Sequence, residues 1–274
     1  MEILVCVKRV PTVGGAITLT ADRRAIDTKA SGFAISPHEE CAVEEAVRLV
    51  ERFGGSVTVA TLGPAVAEEQ LRSCLALGAS AAVLLETEPG VEVGPIATAA
   101  ALHSVATGAA LAGKAGGALA GGAFDLVLLG NEASDTGDYQ VGIRLAHLLG
   151  WPAATGIKAL SVDDAGISVS ASRTYRGVLE TFALELPCVV TVKEGINLPR
   201  YPSLPGRLRA RRAAITRVPG PAGAPDGRAQ PAQDVRMTSL RVPDSPKKQA
   251  TVLGQGAAAV PALVNVLVEL GVVS

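Results

Sequence analysis

The chain has 274 residues, of which 48% are hydrophobic and 19% charged, with 25 basic and 26 acidic side chains. This length suffices for one large α/β domain with an appendage or for two small domains, and the even charge balance gives no support to nucleic-acid binding. The four cysteines form no CxxC pair and only three histidines are present, so no zinc or iron–sulfur site is predicted. We interpret the cysteines as buried thiols in a reducing compartment.

The first half of the chain alternates short apolar runs with helical patterns. Strands are predicted at 3–7, 57–62, 82–85 and 126–129, and helices at 39–53, 64–77 and 140–149. The second helix should end at Gly78. Strands that alternate with helices predict an α/β fold with a doubly wound, mostly parallel sheet of the Rossmann-like, adenine-nucleotide-binding type.

The pattern changes after Trp151, where residues 167–173, 180–186 and 189–193 predict added strands, some of them antiparallel. Residues 218–233 are rich in Pro, Gly and Ala and are interpreted as a linker, and a final helix is predicted near 257–270. This tail is too small for its own core, so we expect a nucleotide-binding domain at 1–217 and an arm at 218–274 that packs on a partner.

Two segments bear on the cellular location of the chain. The N-terminus, MEILVCVKRV, is too short and too strand-like for a signal peptide. Residues 96–120 are apolar but consist mostly of Ala and Gly and include His103 and Lys114, so they predict a soluble helix and a flexible loop. We therefore expect a cytoplasmic protein without membrane insertion.

The segment 130–142, GNEASDTGDYQVG, follows a predicted buried strand and opens a helix. Ligands of open α/β sheets bind at that edge, and the helix N-terminus favours a phosphate. Gly130, Gly137 and Gly142 would let the backbone approach a ligand. Asp135 and Asp138 oppose a phosphate and are expected to cap the helix or to accept hydrogen bonds from ribose hydroxyls. On composition alone, an ordinary βα loop is an equally good interpretation.

Other catalytic motifs are absent from the sequence. There is no GxxxxGK[ST], GxGxxG, GxSxG or HExxH pattern, and the three histidines have no obvious Ser or Cys partner. A hydrolase or a self-sufficient dehydrogenase therefore gains no support, and no catalytic residues are predicted.

Several segments together resemble the beta subunits of electron transfer flavoproteins. Residues 5–11 (VCVKRVP) resemble the family's first strand, and residues 36–49 (SPHEECAVEEAVRL) resemble its Asn-Pro-x-x-Glu motif and the helix that follows. The resemblance continues in the family's order through 62–64, 71–72, 76–79, 126–130, the Ala-x-Asp-x-x-x-x-Gln loop, 149–152, 180–181, 184–187, 189–191 and 197–205. It covers about residues 1–217, and the tail matches more loosely.

The resemblance implies an electron-carrier subunit of a bacterial cytoplasm rather than an enzyme. Its partner would be an alpha subunit that holds most of the redox-active FAD and receives the C-terminal arm. Flavin-dependent dehydrogenases would donate electrons, and a quinone reductase or another acceptor would receive them. The beta subunit would bind a second nucleotide, which is AMP in most members and a second FAD in the electron-bifurcating branch.

The nucleotide site carried over from the resemblance combines the first strand, the start of the first helix, the end of the second strand and the loop described above. Its predicted residues are Cys6, Ser36, Pro37, His38, Glu39, Leu62, Gly130, Asn131, Glu132, Ala133, Ser134, Asp135, Thr136, Gly137, Asp138, Tyr139, Gln140 and Val141. Ser36 and Tyr139 stand where the family usually has Asn. Thr136 and Gly137 replace acidic residues of AMP-type loops, whereas 140–142 resembles the bifurcating type, so AMP and FAD both remain open.

Residues 193–201 (KEGINLPRY) align with the family's recognition loop, in which an exposed leucine inserts into a partner dehydrogenase. Ile196 holds that position and is the predicted anchor; the alternative is a minor core residue. The basic run at 207–212 either faces an acidic partner surface or is simply solvated. The competing interpretation of the whole chain is a stand-alone adenine-nucleotide-binding regulatory module of similar topology, which leaves 197–201 and the long tail unexplained.

Overall fold

The computed structural model describes residues 1–12, 14, 17–91, 93–112, 124–221, 235, 237–243 and 250–273. Its strands are, in chain order, β1 (Glu2–Cys6), β2 (Val10–Thr12), β3 (Gly32–Ala34), β4 (Ser56–Gly63), β5 (Ala81–Glu86), β6 (Leu126–Gly130), β7 (Ala153–Ile157), β8 (Ala159–Val162), β9 (Ser168–Tyr175), β10 (Val178–Glu185), β11 (Cys188–Val192) and β12 (Thr216–Pro219). Its α-helices are α1 (Pro37–Phe53), α2 (Glu68–Leu77), α3 (Pro95–Ala106), α4 (Val141–Leu149), α5 (Leu204–Arg212) and α6 (Val260–Glu269).

The central sheet has seven strands in the order β12-β5-β4-β1-β6-β11-β7. Every neighbouring pair is parallel. The inner strands are mostly apolar because helices cover both faces, which explains runs such as 126–129. The predicted doubly wound α/β fold is confirmed. The strand order reverses at β1, since the chain continues to β4 and β5 on one side and to β6 and β11 on the other.

Two apolar clusters fill the space between this sheet and its helices. Successive side chains of a strand point to opposite faces, so Ile3 and Val5 join the cluster formed with α1, α2 and α5. Leu4 and Cys6 join the cluster formed with α3 and α4. All four cysteines are buried, as predicted. Strand β1 therefore contributes to both halves of the core.

The predicted elements correspond closely to the observed ones. The strands predicted at 3–7, 57–62, 82–85 and 126–129 are β1, β4, β5 and β6, and α1 and α4 are the helices predicted at 39–53 and 140–149. The helix predicted at 64–77 begins with a 3-10 turn, Ala65–Ala67, before α2, and it ends at Gly78 as expected. The later predicted strands are β9, β10 and β11. Strands β9 and β10 are antiparallel and form a separate sheet with β8.

The C-terminal part differs in detail from its prediction. Strand β12 pairs with β5, so Val218 and Pro219, which the sequence assigned to the linker, complete the central sheet. Residues 222–233 of that linker and 113–120 of the stretch that was predicted as a soluble helix and a flexible loop lie outside the described residues. Helix α6 confirms the predicted final helix, and none of its residues is buried. The division into a domain at 1–217 and an arm at 218–274 stays a prediction.

Candidate functional site

A cavity of about 270 Å³ opens at the carboxyl ends of β1, β4 and β6. This is the point where the strand order reverses, which is where open α/β sheets bind their ligands. The main walls are residues 6–9 after β1, 62–64 at the end of β4, 129–133 after β6 and 138–142 at the start of α4. Several strand ends and helix N-termini therefore converge on one space.

The Glu39 carboxylate ties the residues after β1 to the start of α1. Its Oε1 accepts a hydrogen bond from the Lys8 backbone N–H at 3.0 Å, and its Oε2 accepts one from the Ser36 backbone N–H at 3.0 Å. The side chain is buried, and burial raises the pKa of Glu39 to about 7. A Cβ at Gly130 would lie 2.7 Å from Glu39 Cγ, so the backbone of β6 approaches this side chain as only glycine allows.

Two cations follow β1 at the cavity. Lys8 Nζ lies 2.8 Å from Asp135 Oδ1 and 3.4 Å from Thr136 Oγ1, so the charge of Asp135 is already compensated. Arg9 stacks on Phe33, with its guanidinium carbon 3.2 Å from the ring centroid. Its Nε is buried and has no hydrogen-bond partner among the described residues, and burial lowers the pKa of Arg9. Arg9 thus adds a positive charge to the wall of the cavity.

Helix α4 presents an uncapped N-terminus to the cavity. Its N-cap residue, Gln140, makes no side-chain cap, because Gln140 Oε1 instead accepts hydrogen bonds from Arg144 Nε and Nη2 at 3.0 and 2.7 Å. The first N–H groups of a helix lack partners within it and carry partial positive charge. An anion at this position would therefore be stabilised.

The segment between β6 and α4 is held from behind by β11. Thr191 Oγ1 donates to Asn131 Oδ1 at 2.9 Å and accepts from the Gly156 N–H at 3.1 Å. Gly142 packs directly on the Thr191 methyl group, leaving no room for a side chain. The position of Asn131 in the cavity wall thus depends on how closely α4 approaches β11.

The sequence of the chain matches one protein family over most of its length. The family model described as the electron transfer flavoprotein domain matches residues 25–222. The chain is 37% identical over 182 residues to the electron transfer flavoprotein subunit beta of Bacillus subtilis, covering 66% of this chain and 65% of that relative. It is 35% identical to the Bradyrhizobium diazoefficiens subunit beta over 218 residues (78% and 80%) and 32% identical to the human subunit beta over 256 residues (92% and 92%). The chain belongs to the electron transfer flavoprotein family, among its beta subunits.

Most of the site residues predicted from this family lie on the cavity. Those that line it are Cys6, Glu39, Leu62, Gly130, Asn131, Glu132, Ala133, Thr136, Asp138, Tyr139, Gln140 and Val141. The other six do not line it: Ser36, Pro37, His38, Ser134, Asp135 and Gly137. Ser36 Oγ is 3.5 Å from the Glu132 carbonyl, and His38 Nδ1 is 4.0 Å from Glu132 Oε1. Asp135 pairs with Lys8 and, like Asp138, does not cap α4. The assignment of these residues to a ligand stays a prediction.

The loop of this electron transfer flavoprotein chain contains two residues in the left-handed region. Gly137 has φ +60° and Tyr139 has φ +57°. Asn, which the family usually has at the second position, tolerates this conformation better than a tyrosine does. Tyr139 is a cavity residue and half exposed, so its strained backbone places an aromatic ring at the cavity rim.

The predicted site did not include several cavity residues that the structure places there. They are Val7, Lys8, Arg9, Gly63, Pro64, Thr87, Val91, Val93, Pro95, Thr98, Leu102 and Leu129. Two of them, Lys8 and Thr87, follow the last residues of β1 and β5 closely, and carboxyl ends of parallel strands share one edge. The shared edge of the strand ends was therefore enough to predict Lys8 and Thr87 as site residues.

The predicted recognition loop (residues 193–201) follows β11 and contacts α1 through Asn197 and Arg200. Ile196 is half buried and packs against the core cluster that contains α1. Leu198 is 90% exposed and Tyr201 is 95% exposed, so these two present the apolar surface of the loop. In the described part of the chain, no cluster of three metal-ligating side chains occurs, and no helix has the length and hydropathy to cross a membrane.

Proposed function

We propose that this chain is the beta subunit of a heterodimeric electron transfer flavoprotein. It binds AMP, or a second FAD, in the cavity at β1, β4 and β6. It docks flavin-dependent dehydrogenases through the recognition loop, and electrons pass through the FAD held mainly by the alpha subunit to a quinone reductase or another acceptor. The subunit carries electrons in the cytoplasm and is not itself an enzyme. The observation that carries the proposal is the convergence of the family's motifs on one cavity at the switch point of the sheet.

The residues of the cavity fit a nucleotide. The uncapped N-terminus of α4 is suited to a phosphate, and the positive charge of Arg9 in the cavity wall favours an anionic ligand. The acidic Asp138 is suited to ribose hydroxyls, which donate hydrogen bonds. When bound, an AMP would add no redox chemistry, whereas a second FAD would add a flavin.

The size of the cavity bears on the choice between AMP and FAD. Its volume of about 270 Å³ lies at the low end of small-molecule sites, which span roughly 300–1,000 Å³. FAD is more than twice as large as AMP, so the volume favours AMP. The match of residues 140–142 to the bifurcating branch favours FAD, and chemical identification of the ligand decides between them.

The exposed apolar side chains of the arm support pairing with an alpha subunit. Val260 is 54% exposed and Leu270 is 70% exposed, and Leu263, Val264 and Val268 of α6 are exposed as well. An apolar helix face of this kind is stabilised by burial against another surface. We assign the alpha subunit to that role.

The recognition loop supports docking of a dehydrogenase. A small, well-exposed apolar anchor surrounded by polar residues suits a transient interface. The predicted anchor is Ile196, and Leu198 adds a fully exposed leucine two residues later. We propose that both contribute, with Ile196 also supporting the fold.

The decisive experiment is co-purification of the chain with its alpha subunit, followed by denaturation and identification of the released nucleotides. The proposal predicts one FAD per heterodimer plus either AMP or a second FAD. A chain that purifies alone, folded and loaded with an adenine nucleotide, and that does not bind an FAD-containing partner, would instead be a stand-alone regulatory module.

A further inference from the structure

A second groove lies between α3 and α4, outside the cavity at β1, β4 and β6. Its volume is about 420 Å³, within the range of roughly 300–1,000 Å³ that small-molecule sites span. Along α4 it is lined by the N-cap residue Gln140 and by Ile143, Arg144, His147 and Leu148. The last four follow Gln140 by three, four, seven and eight residues, a spacing that places all five side chains on one face of the helix.

Four of the described residues that line this groove are apolar. Ile96 and Ala99 come from α3, and Ile143 and Leu148 come from α4. Ile143 is 53% exposed and Leu148 is 48% exposed, although both have large apolar side chains. Exposed apolar surface of this kind is stabilised when an apolar group covers it. The groove thus offers an apolar surface to part of a ligand.

Arg144 gives the groove a positive charge that no described carboxylate neutralises. Its Nε and Nη2 donate to Gln140 Oε1 at 3.0 and 2.7 Å, and that amide is uncharged. Arg173, by contrast, pairs with the carboxylate of Glu180 at 2.7 Å. Gln140 therefore holds the guanidinium of Arg144 in place without cancelling its charge. The Nη1 of Arg144 bonds to no described residue and is not buried, so it remains a donor for another partner.

His147 adds a second nitrogen donor to the groove. It lies three residues after Arg144 and is exposed, and none of the described lining residues is acidic. A neutral imidazole donates one hydrogen bond, and hydrogen bonds between a guanidinium and a carboxylate are roughly twice as strong as bonds between neutral groups. The groove is therefore complementary to a ligand that combines a carboxylate with an apolar body.

We propose that the groove between α3 and α4 binds a small amphipathic carboxylate, with the carboxylate on Arg144 and the apolar body against Ile96, Ile143 and Leu148. The charge of Arg144 favours such a ligand over a neutral apolar one, and the volume of the groove suits a small molecule. The proposal goes beyond nucleotide binding and does not depend on it, because the groove and the cavity at β1, β4 and β6 share only Gln140 among their described lining residues.

The experiment titrates octanoate into the heterodimer, and in parallel into the full-length chain alone, and follows the δ1 methyl signals of isotope-labelled isoleucines by NMR. Ile96 and Ile143 line the groove, whereas no isoleucine is among the described residues of the other cavity, so these two signals locate the ligand. Ile96→Val and Ile143→Val assign them. We expect octanoate to shift both signals saturably in the heterodimer.

Two further probes separate the charge of the ligand from its apolar body. Acetate keeps the carboxylate without the body, and octanamide keeps the body without the charge. Because the groove contacts both parts, octanoate should bind about tenfold more tightly than either probe. This comparison needs no variant of the protein and so does not depend on the folding of one.

Variants then test the residues. Arg144→Gln should weaken octanoate binding about tenfold, whereas Arg52→Gln, which removes a helix arginine that pairs with the exposed Asp164, should leave it unchanged. Arg144→Lys keeps the charge without the planar fork, so it should weaken binding by less, and it replaces Arg144→Gln if that protein does not fold. Leu148→Ala should also weaken octanoate binding, unlike Val66→Ala, which truncates a similarly exposed side chain elsewhere.

Four results would overturn the proposal. Octanamide that binds as tightly as octanoate would show that the positive charge takes no part, and so would a folded Arg144→Gln protein with wild-type affinity for octanoate. Isoleucine signals that shift only in the chain alone would show that the alpha subunit covers the groove, and signals that shift in neither sample would show that the groove binds no such ligand. Each of these results leaves the proposed nucleotide function standing.

Discussion

Replacement of Gly142 by alanine should destabilise the chain through a single contact. A Cβ at this position would overlap the Thr191 methyl group, with Leu129 Cδ1 at 3.6 Å on another side. Thr191 cannot rotate away without losing its hydrogen bonds to Asn131 and Gly156. Overpacking of this kind costs about 1–3 kcal/mol, and the higher helix propensity of alanine returns about 0.5–1 kcal/mol. We expect the free energy of unfolding to fall by about 1–2 kcal/mol.

The compensating change is Thr191→Ser, which deletes the overlapping methyl group and keeps the hydroxyl that binds Asn131. Alone it should cost about 1 kcal/mol for one buried methyl, but combined with Gly142→Ala it should restore stability to near wild type. Urea unfolding of the four proteins, followed by circular dichroism, measures the coupling between the two sites. The reasoning is wrong if Gly142→Ala alone is neutral, or if the two losses simply add.

Three further results are expected. Gln140→Glu should weaken AMP binding about tenfold in calorimetry, because it places a negative charge at the proposed phosphate site. The melting temperature should stay equal or rise, because a negative charge suits a helix N-terminus beside Arg144. An unchanged affinity for AMP would show that the phosphate does not bind at the N-terminus of α4. The folded-state pKa of Glu39, about 7, lies above its ordinary value of 4.5, so its contribution to stability is complete below about pH 4.5 and is lost as the pH rises through 7. Urea midpoints should therefore fall between about pH 5 and pH 8 in the wild type, and a Glu39→Gln variant with the same fall would contradict this assignment. Ile196→Ala should lower the free energy of unfolding by about 1–2 kcal/mol, because Ile196 is half buried. Leu198→Ala should leave the free energy of unfolding unchanged and raise only the KM for a dehydrogenase. Equal effects of the two variants on stability would show that the Leu198 side chain is not exposed to solvent.

The parallel core could be predicted from the sequence because each of its strands and helices has a local sequence pattern. Runs such as 126–129 are long enough and apolar enough to identify a strand buried on both faces, and Gly78 stops α2 where a helix stop was expected. Strands β2, β3, β7, β8 and β12 were not predicted, because each has only three to five residues. The pairing of β12 with β5 also joins strands that are distant in the sequence. Hence Val218 was assigned to a linker, although its partner, Leu85, lies in β5.

The candidate site likewise combines features that local sequence patterns predict with features that depend on distant contacts. The cavity position and the loop after β6 could be predicted, since the switch point and the helix N-terminus follow from the order of strands and helices. The pairing of Lys8 with Asp135 spans 127 residues and could not be predicted, so Asp135 was expected to act as a cap or a ribose ligand. The exposure of Leu198 and the half-burial of Ile196 depend equally on the distant contacts of Asn197 and Arg200 with α1.

The position of β1 at the centre of the sheet has a consequence for synthesis on the ribosome. The sheet grows outward from the N-terminal strand, first to β4 and β5, then to β6, and only later to β11 and β12. Every described residue that lines the cavity precedes residue 143, whereas the recognition loop emerges about fifty residues afterwards. A nascent chain therefore carries all of these cavity residues before the proposed recognition loop has been translated.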